Sequence, residues 1–133
     1  LLFGATGDLA RRMLLPSLYA LHDDGLLPAD LAILATARSP LDDAGYRALA
    51  DEALGEFLPD HDRDGAAVPA FLDRLIYQPL DILGGADGFA ALASRLGDTS
   101  GGLAIFLSTA PSLFEPTIAG LDSAGLAHDK VRI

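Results

Sequence analysis

The segment Gly4-Ala5-Thr6-Gly7-Asp8-Leu9-Ala10 decides the fold, because it stands between an apolar run and an amphipathic pattern. The run Leu1-Leu2-Phe3 is typical of the end of a buried strand. Glycines allow a tight turn from strand to helix, and the amides of a helix N-terminus favour an anion such as a pyrophosphate. The spacing G-x-x-G-x-x-A has a small residue where the dinucleotide fingerprint has its third glycine. The glycines alone equally suit a purely structural turn.

The pattern along the rest of the chain alternates strand-length apolar runs with helical periodicity, which predicts an α/β fold with a parallel sheet. In the first helix the apolar stripe is predicted at Ala10, Leu14, Leu18 and Leu21, with a kink or restart at Pro16. Strands are predicted over 1–3, 31–36, 75–78 and 103–108 and from 131, and helices over 8–24, 42–57, 67–74, 86–96 and 112–124. A polar connection is predicted over 59–65.

The residues that follow the second predicted strand bear on the choice of coenzyme. In such folds an acidic residue here binds the free ribose hydroxyls of NAD, whereas a cation accommodates the 2′-phosphate of NADP. The sequence has Ala35-Thr36-Ala37-Arg38-Ser39, with no Asp or Glu. The planar guanidinium of Arg38 suits a phosphate, although a solvated surface arginine is the alternative. NADP is therefore favoured over NAD.

Composition excludes several classes of protein. The chain has 133 residues, no Cys, and nine Lys and Arg against nineteen Asp and Glu, for a net charge of -10. Disulfides and Cys-ligated zinc are excluded, and a broad nucleic-acid-binding face is disfavoured. No apolar run has the length of a membrane span and no signal-peptide pattern is present, so a cytoplasmic location is expected. His22, predicted at the surface, His61 and His128 lack the spacing of a metal site.

Short-chain dehydrogenases also use a Gly-Ala-Thr-Gly turn, but their chemistry needs a Tyr followed four residues later by a Lys. Tyr19, Tyr46 and Tyr77 lack that partner, because the single Lys of the chain is Lys130. The catalytic pair of that class is therefore absent from this sequence.

The stretch from Gly4 to Leu21, Gly-Ala-Thr-Gly-Asp-Leu-Ala-Arg-Arg-Met-Leu-Leu-Pro-Ser-Leu-Tyr-Ala-Leu, resembles the N-terminal signature of glucose-6-phosphate dehydrogenases, G-x-x-G-D-L-A-(K/R)-(K/R)-K-L-x-P-x-L-x-x-L. The resemblance continues at 24–28, 37–39, 77–81, 105–114 and 121–126. It implies a Rossmann-type, doubly wound coenzyme domain, here cut at both ends, that precedes a larger α+β substrate domain. The implied reaction oxidises glucose 6-phosphate to 6-phosphogluconolactone with hydride transfer to NADP, in the pentose phosphate pathway of glucose metabolism.

The resemblance also implies which residues contact the coenzyme. The dinucleotide turn would comprise Gly4, Ala5, Thr6, Gly7, Asp8, Leu9, Ala10 and Arg11. Thr6, Arg38 and Ser39 would lie near the 2′-phosphate, Asp81 and Ile82 near the adenine, and Ala110 and Pro111 near the nicotinamide. The alternatives to these two coenzyme contacts are structural: Asp81 caps a turn, and Pro111 ends a strand.

Two features leave a second interpretation open. The family usually has Lys, close to coenzyme and sugar phosphate, where this chain has Met13. The family's E-K-P-x-G segment and its R-I-D-H-Y-L-G-K segment with the general-base His are expected beyond Ile133, so no catalytic residue is assigned within the chain. The alternative is a non-catalytic NADP(H)-sensing module. Homo-oligomers are expected through the C-terminal domain, and no nucleic-acid or membrane partner is expected.

Overall fold

Four parallel strands form the main sheet of the computed structural model, which describes residues 1–63 and 65–133. They are β1 (Leu2–Phe3), β2 (Ile33–Ala37), β3 (Leu75–Pro79) and β5 (Phe106–Leu107), in the order β3-β2-β1-β5. The strand β4 (Leu103–Ala104) directly precedes β5 and pairs in parallel with β6 (Val131–Arg132). The N–H of Ile105, between β4 and β5, donates to Arg132 O at 2.7 Å, so β6 continues the sheet past β5. This order confirms the predicted doubly wound α/β fold.

Helices connect the strands much as the periodicity predicts. The α-helices are α1 (Leu15–Asp23), α2 (Asp43–Phe57), α3 (Ala67–Asp73), α4 (Ala86–Leu96) and α5 (Phe114–Ser123). Asp42 caps α2, because its carboxylate accepts the N–H of Gly45 at 2.7 Å. Short 3-10 turns cover Asp60–Asp62 and Pro111–Leu113. Within the predicted polar connection, Asp64 and the side chain of His61 lie outside the described residues.

The sheet is covered on both faces, as the nearly continuous apolar strands predict. On one face Leu2 and Tyr77 pack with α1, α2 and α3 through Tyr19, Leu54 and Phe71. On the other face the core consists of residues from the strands and from α4 and α5: Phe3, Leu34, Leu80, Phe89, Leu92, Ile105, Leu121 and Leu126. The two cores, one on each face, therefore fix the positions of the strands and of the segments that follow them.

The first helix begins with a π-helical turn over Ala10–Leu14, in which the N–H of Leu15 donates to Ala10 O. Pro16 follows as one of the first residues of α1, where its missing N–H costs least. The predicted interruption is confirmed, and its form is a widened turn. The extra residue rotates the buried face, which therefore includes Leu15 and Tyr19. Leu21, the last residue of the predicted apolar stripe, is 40% exposed and does not belong to the buried face.

The outer edge of β3 is capped by side chains of α2. Asp43 Oδ1 accepts the N–H of Tyr77 at 2.8 Å, and Arg47 Nε donates to Leu75 O at 3.0 Å. Arg95 of α4 forms an ion pair with the other oxygen of Asp43. Since α2 and α4 cover opposite faces of the sheet, Asp43 joins both layers at this edge. Partial desolvation raises the pKa of Asp43, but the bonds from Tyr77 and Arg95 outweigh it and hold the pKa below its ordinary value.

We expect Asp43→Asn to separate the charge of this carboxylate from its acceptor role. Asn keeps an oxygen for Tyr77 but loses the partly exposed ion pair, so the free energy of unfolding should fall by about 0.5 kcal/mol at pH 7. Asp43→Ala should cost about 1.5 kcal/mol, since the N–H of Tyr77 then also loses its acceptor. Because the folded pKa is depressed, the wild-type advantage is complete above the unfolded pKa and disappears as pH falls through the folded pKa. Thermal unfolding at pH 7 and at pH 3 measures both effects; an Asn variant equally impaired at both pH values would contradict them.

Candidate functional site

A cleft of about 420 Å³ lies where the strands of the main sheet end. Its walls come from the turn after β1, the segment after β2, the segment after β3 and the segment after β5. Ligands of open α/β sheets bind at this carboxyl edge. The lining residues are Phe3, Gly4, Thr6, Gly7, Thr36, Ala37, Arg38, Ser39, Leu80, Asp81, Ile82, Leu83, Ser108, Thr109, Ala110 and Leu113.

The turn after β1 brings two backbones unusually close together. Gly4 has φ +70°, and a Cβ at this position would lie 2.1 Å from the carbonyl oxygen of Ser108. Only glycine meets both constraints, since a side chain would be strained at this φ and would also overlap with the backbone after β5. The N–H of Gly7 donates to Gly4 O at 3.0 Å, which closes the turn before the first helix. Gly4 is therefore required by geometry at the floor of the cleft, whereas a Cβ at Gly7 would meet only Gly4 O at 3.1 Å.

The segment after β2 lies beside this turn, as predicted. Thr6, Arg38 and Ser39 all line the cleft, and Ser39 Oγ donates to Thr6 Oγ1 at 3.4 Å. The structure thus brings together the three side chains that the resemblance assigns to one phosphate. Their contact with a coenzyme stays a prediction.

Arg38 differs from every other basic residue of the chain. Within residues 1–63 and 65–133 its exposed guanidinium has no ion pair and no hydrogen bond, although the net charge of the chain is -10. The other eight Lys and Arg each contact a carboxylate, a backbone carbonyl or a histidine: Arg11, Arg12, Arg47, Arg63, Arg74, Arg95, Lys130 and Arg132. As far as the described residues show, this cation in the cleft is thus available to a bound ligand.

The segments after β3 and β5 complete the cleft. Asp81 and Ile82 line it, and Asp81 Oδ1 accepts the N–H of Leu83 at 3.1 Å, so this carboxylate also closes a turn. Ala110 lines the cleft, whereas the exposed Pro111 begins the 3-10 turn behind it. The glycine turn follows β1, which stands between β3 and β5 in the sheet. The residues predicted to contact the adenine (Asp81 and Ile82) and the nicotinamide (Ala110) therefore lie on opposite sides of that turn.

Several predicted residues lie outside the lining. Ala5 and Ala10 are fully buried and pack in the core, while Asp8 and Leu9 are exposed on the first helical turn. Arg11 lies against α2, where its guanidinium is 3.7 Å from Glu52 and 3.6 Å from Glu56. Six predicted coenzyme contacts therefore have no support from the cleft lining and stay predictions: Ala5, Asp8, Leu9, Ala10, Arg11 and Pro111.

Two hydroxyls in the cleft were not predicted from the sequence. Ser108 Oγ and Thr109 Oγ1 are buried and have no hydrogen-bond partner among the described residues, and both residues line the cleft next to Gly4. Buried hydroxyls without partners are costly, so a polar group bound beside them in the cleft would offset part of this cost. The sequence feature that could have indicated these two hydroxyls is the change from apolar to polar residues after the run 103–107. These residues fit a dinucleotide, which presents polar groups along its whole length.

The structure also corrects the prediction for one histidine. His22 is half-buried, since its Nδ1 accepts a hydrogen bond from Arg74 Nε at 3.0 Å and its ring contacts Phe71. His22, predicted at the surface, is therefore only partly exposed and is held by these two contacts. Among the described residues, no three His, Asp or Glu side chains come together as metal ligands. No helix in this part of the chain is long and apolar enough to cross a membrane.

The family model for the glucose-6-phosphate dehydrogenase NAD binding domain matches residues 1–133. The chain belongs to this family. Glucose-6-phosphate 1-dehydrogenase of Zymomonas mobilis is 49% identical over the whole chain, and that of Mycolicibacterium smegmatis is 36% identical over 99% of it. The chain covers 27% and 28% of these two relatives. It therefore spans about a quarter of the length of the glucose-6-phosphate dehydrogenases that it matches.

Solved glucose-6-phosphate dehydrogenases share the fold. The enzyme from Mycobacterium avium superimposes with a TM-score of 0.86 at 27% identity, and the match covers 98% of this chain and 27% of that one. A glucose-6-phosphate dehydrogenase in complex with glucose 6-phosphate gives a TM-score of 0.80 at 25% identity, over 98% of this chain and 28% of that one. The Rossmann-type fold is thus confirmed. The family identifies a nicotinamide dinucleotide as the coenzyme class of this glucose-6-phosphate dehydrogenase domain.

Proposed function

We propose that this chain is the coenzyme domain of an NADP-linked glucose-6-phosphate dehydrogenase, which oxidises glucose 6-phosphate to 6-phosphogluconolactone. The observation that carries the choice of NADP is the guanidinium of Arg38, which has no partner among the described residues and lies in the cleft of an otherwise strongly acidic chain. A bidentate arginine is well suited to a phosphate and gains most from it when no internal carboxylate competes. The family membership supports the reaction.

Each wall of the cleft has its own part in this proposal. The glycine turn and the first helical amides hold the pyrophosphate, because a helix N-terminus offers free N–H donors and a favourable dipole. Arg38, with Thr6 and Ser39, holds the 2′-phosphate. Ser108 and Thr109 follow β5, on the far side of Gly4 from Arg38, and their hydroxyls would hold the nicotinamide half. When bound, the coenzyme accepts a hydride from C1 of the sugar phosphate.

The chemistry that this domain contributes is positioning. Its residues fix the nicotinamide relative to C1, and a proton acceptor for the C1 hydroxyl must lie within hydrogen-bond distance of that oxygen. We propose that the substrate domain of the complete protein supplies this base, as in the family pattern, and that it also forms the homo-oligomer contacts. A cytoplasmic location and the absence of nucleic-acid and membrane partners stay predictions.

The experiment that tests this function uses the full-length protein. Initial rates of coenzyme reduction with glucose 6-phosphate are measured with NADP and then with NAD. We expect a higher kcat/KM with NADP. Faster turnover with NAD would contradict the role of Arg38, and absent turnover with intact NADP binding would contradict the enzymatic assignment.

One observation favours a second candidate, a non-catalytic NADP(H)-sensing module. Met13 stands where the family pattern has a Lys near coenzyme and sugar phosphate, and it is 60% exposed on the π-helical turn. A methionine cannot supply a charge to the sugar phosphate. A sensing module has no need of that charge, so absent turnover with tight NADP binding is its expected signature.

We expect Met13→Lys to lower the KM for glucose 6-phosphate about five-fold, because an added cation near a phosphate contributes roughly 1 kcal/mol at an exposed site. The exposure of position 13 leaves room for the longer side chain without a burial cost. Steady-state kinetics of the full-length protein gives the value, and Met13→Gln serves as the uncharged control. A KM equal in all three proteins would mean that another cation already binds the sugar phosphate.

A further inference from the structure

Two stacked tyrosines lie beneath the cleft without lining it. The rings of Tyr46 on α2 and Tyr77 on β3 have centroids 5.1 Å apart with an angle of 21° between their planes. Tyr46 is fully buried and Tyr77 is 3% exposed. Neither belongs to the cleft lining, so neither touches a ligand bound there. Their hydroxyls, however, reach the backbone of two different walls.

The Tyr77 hydroxyl holds the backbone on both sides of Arg38. Its oxygen is 3.1 Å from Ala37 O and 2.8 Å from Ser39 O. Carbonyl oxygens only accept, so the single phenol proton is shared between them. These carbonyls belong to the residues immediately before and after Arg38, so the hydroxyl fixes both ends of the segment from which the guanidinium extends.

Burial raises the pKa of both phenols, which therefore keep their protons and remain donors at neutral pH. Each carbonyl next to Arg38 also accepts a backbone N–H, from Leu80 for Ala37 and from Leu41 for Ser39, both at 2.9 Å. Loss of the Tyr77 hydroxyl would thus leave neither carbonyl without a donor. The segment around Arg38 would lose one hydrogen bond that restrains its backbone, but it would keep its fold.

The Tyr46 hydroxyl serves the other wall. It donates to Ala5 O in the glycine turn at 3.1 Å. That turn is the part of the cleft proposed for the pyrophosphate, which NAD and NADP share. The two hydroxyls therefore have the same chemistry but support different parts of the coenzyme site, and the Tyr46 hydroxyl is the more deeply buried of the two.

We propose that Tyr77 is a positioning residue that determines specificity for a dinucleotide with a 2′-phosphate, because it holds the Arg38 segment in its binding geometry. The inference rests on the proposed function. Tyr46 has the corresponding role for the glycine turn and acts on both coenzymes alike. Neither is a catalytic residue.

The test measures the Kd of NADP and of NAD for the full-length protein and its variants by titration calorimetry. Tyr77→Phe keeps the ring and its stacking and should raise the Kd of NADP about five-fold, as expected for one hydrogen bond, with the Kd of NAD changed less than about two-fold. Tyr46→Phe should raise both Kd values by a similar factor. Retained NAD binding shows that the Tyr77→Phe protein is folded.

A double-mutant cycle distinguishes action through Arg38 from a general structural effect. In the Arg38→Ala background, adding Tyr77→Phe should raise the Kd of NADP much less than it does in the wild type, since the arginine that it positions is gone and only Ser39 of that segment remains to contact the phosphate. Additive losses, or equal losses for NADP and NAD in the single Tyr77→Phe variant, would overturn the inference.

Different outcomes would contradict the proposed function and the role of Tyr77. If the wild type prefers NADP and Arg38→Ala removes that preference, but Tyr77→Phe leaves it intact, the proposed function stands and the role of Tyr77 is wrong. If Arg38→Ala leaves the preference unchanged, or the wild type has none, the assignment of Arg38 is wrong and the role of Tyr77 with it.

Discussion

Arg38→Ala is expected to raise the Kd of NADP about thirty-fold and to change the Kd of NAD less than about two-fold. The guanidinium is exposed in the cleft and has no partner in the part of the chain that the structure describes, so its removal breaks no internal contact there. The loss is therefore the binding contribution of charge-assisted hydrogen bonds to the 2′-phosphate, about 2 kcal/mol. Titration of the full-length protein with both coenzymes measures it.

A second arginine provides the control for net charge. Arg132 is exposed on β6, and among the residues that the structure describes its guanidinium donates hydrogen bonds to the carbonyls of Asp129 and Val131 alone, outside the cleft. Arg132→Ala changes the net charge by the same amount and should leave both Kd values unaltered. If both arginine variants weaken NADP binding equally, the effect comes from the overall charge and the role of Arg38 is wrong.

Gly4→Ala should have the largest effect on folding. A methyl group at this position would lie 2.1 Å from Ser108 O, so β1 and β5 would have to separate at the floor of the cleft, and φ +70° disfavours it further. We expect a loss of at least about 3 kcal/mol in the free energy of unfolding, as for other overpacked sites with a strained backbone. The melting temperature should fall accordingly, and coenzyme binding should be lost.

Gly25→Ala isolates the backbone contribution. Gly25 has φ +68°, almost the same as Gly4, but a Cβ at this position would have no atom within 4 Å. Its replacement should cost only the conformational penalty, about 1 kcal/mol. Differential scanning fluorimetry of both variants compares them directly. Equal falls in melting temperature would show that the close approach to Ser108 contributes nothing.

Local sequence signals predicted most of the fold. The strands around Ile33–Ala37 and Leu75–Pro79 are apolar runs, and α2 and α4 have clear starts and ends, so periodicity and end signals located them within a few residues. The glycine turn and Arg38 were visible because their chemistry follows from residue type and from position after a strand. The cleft confirms that these two segments meet.

Other features depend on contacts between distant residues, which a single sequence does not display. The π-helical turn at Ala10–Leu14 contains one residue more per turn than the α-helical period assumes. The stripe predicted from that period therefore leaves out Leu15 and Tyr19, which are buried. His22 accepts its hydrogen bond from Arg74, fifty-two residues away along the chain. The stacking of Tyr46 on Tyr77 likewise appears only when α2 lies on β3. Tertiary packing determines each of these.

The capped edge of β3 limits how the protein can associate. A terminal strand normally exposes backbone groups that can recruit a strand of another molecule, which leads to fibres or runaway polymers. Here Asp43 and Arg47 occupy Tyr77 N–H and Leu75 O, and Pro79 has no N–H to offer. At this edge, three of the positions that a further strand would need for pairing are therefore already occupied or lack a donor, which disfavours extension of the sheet past β3.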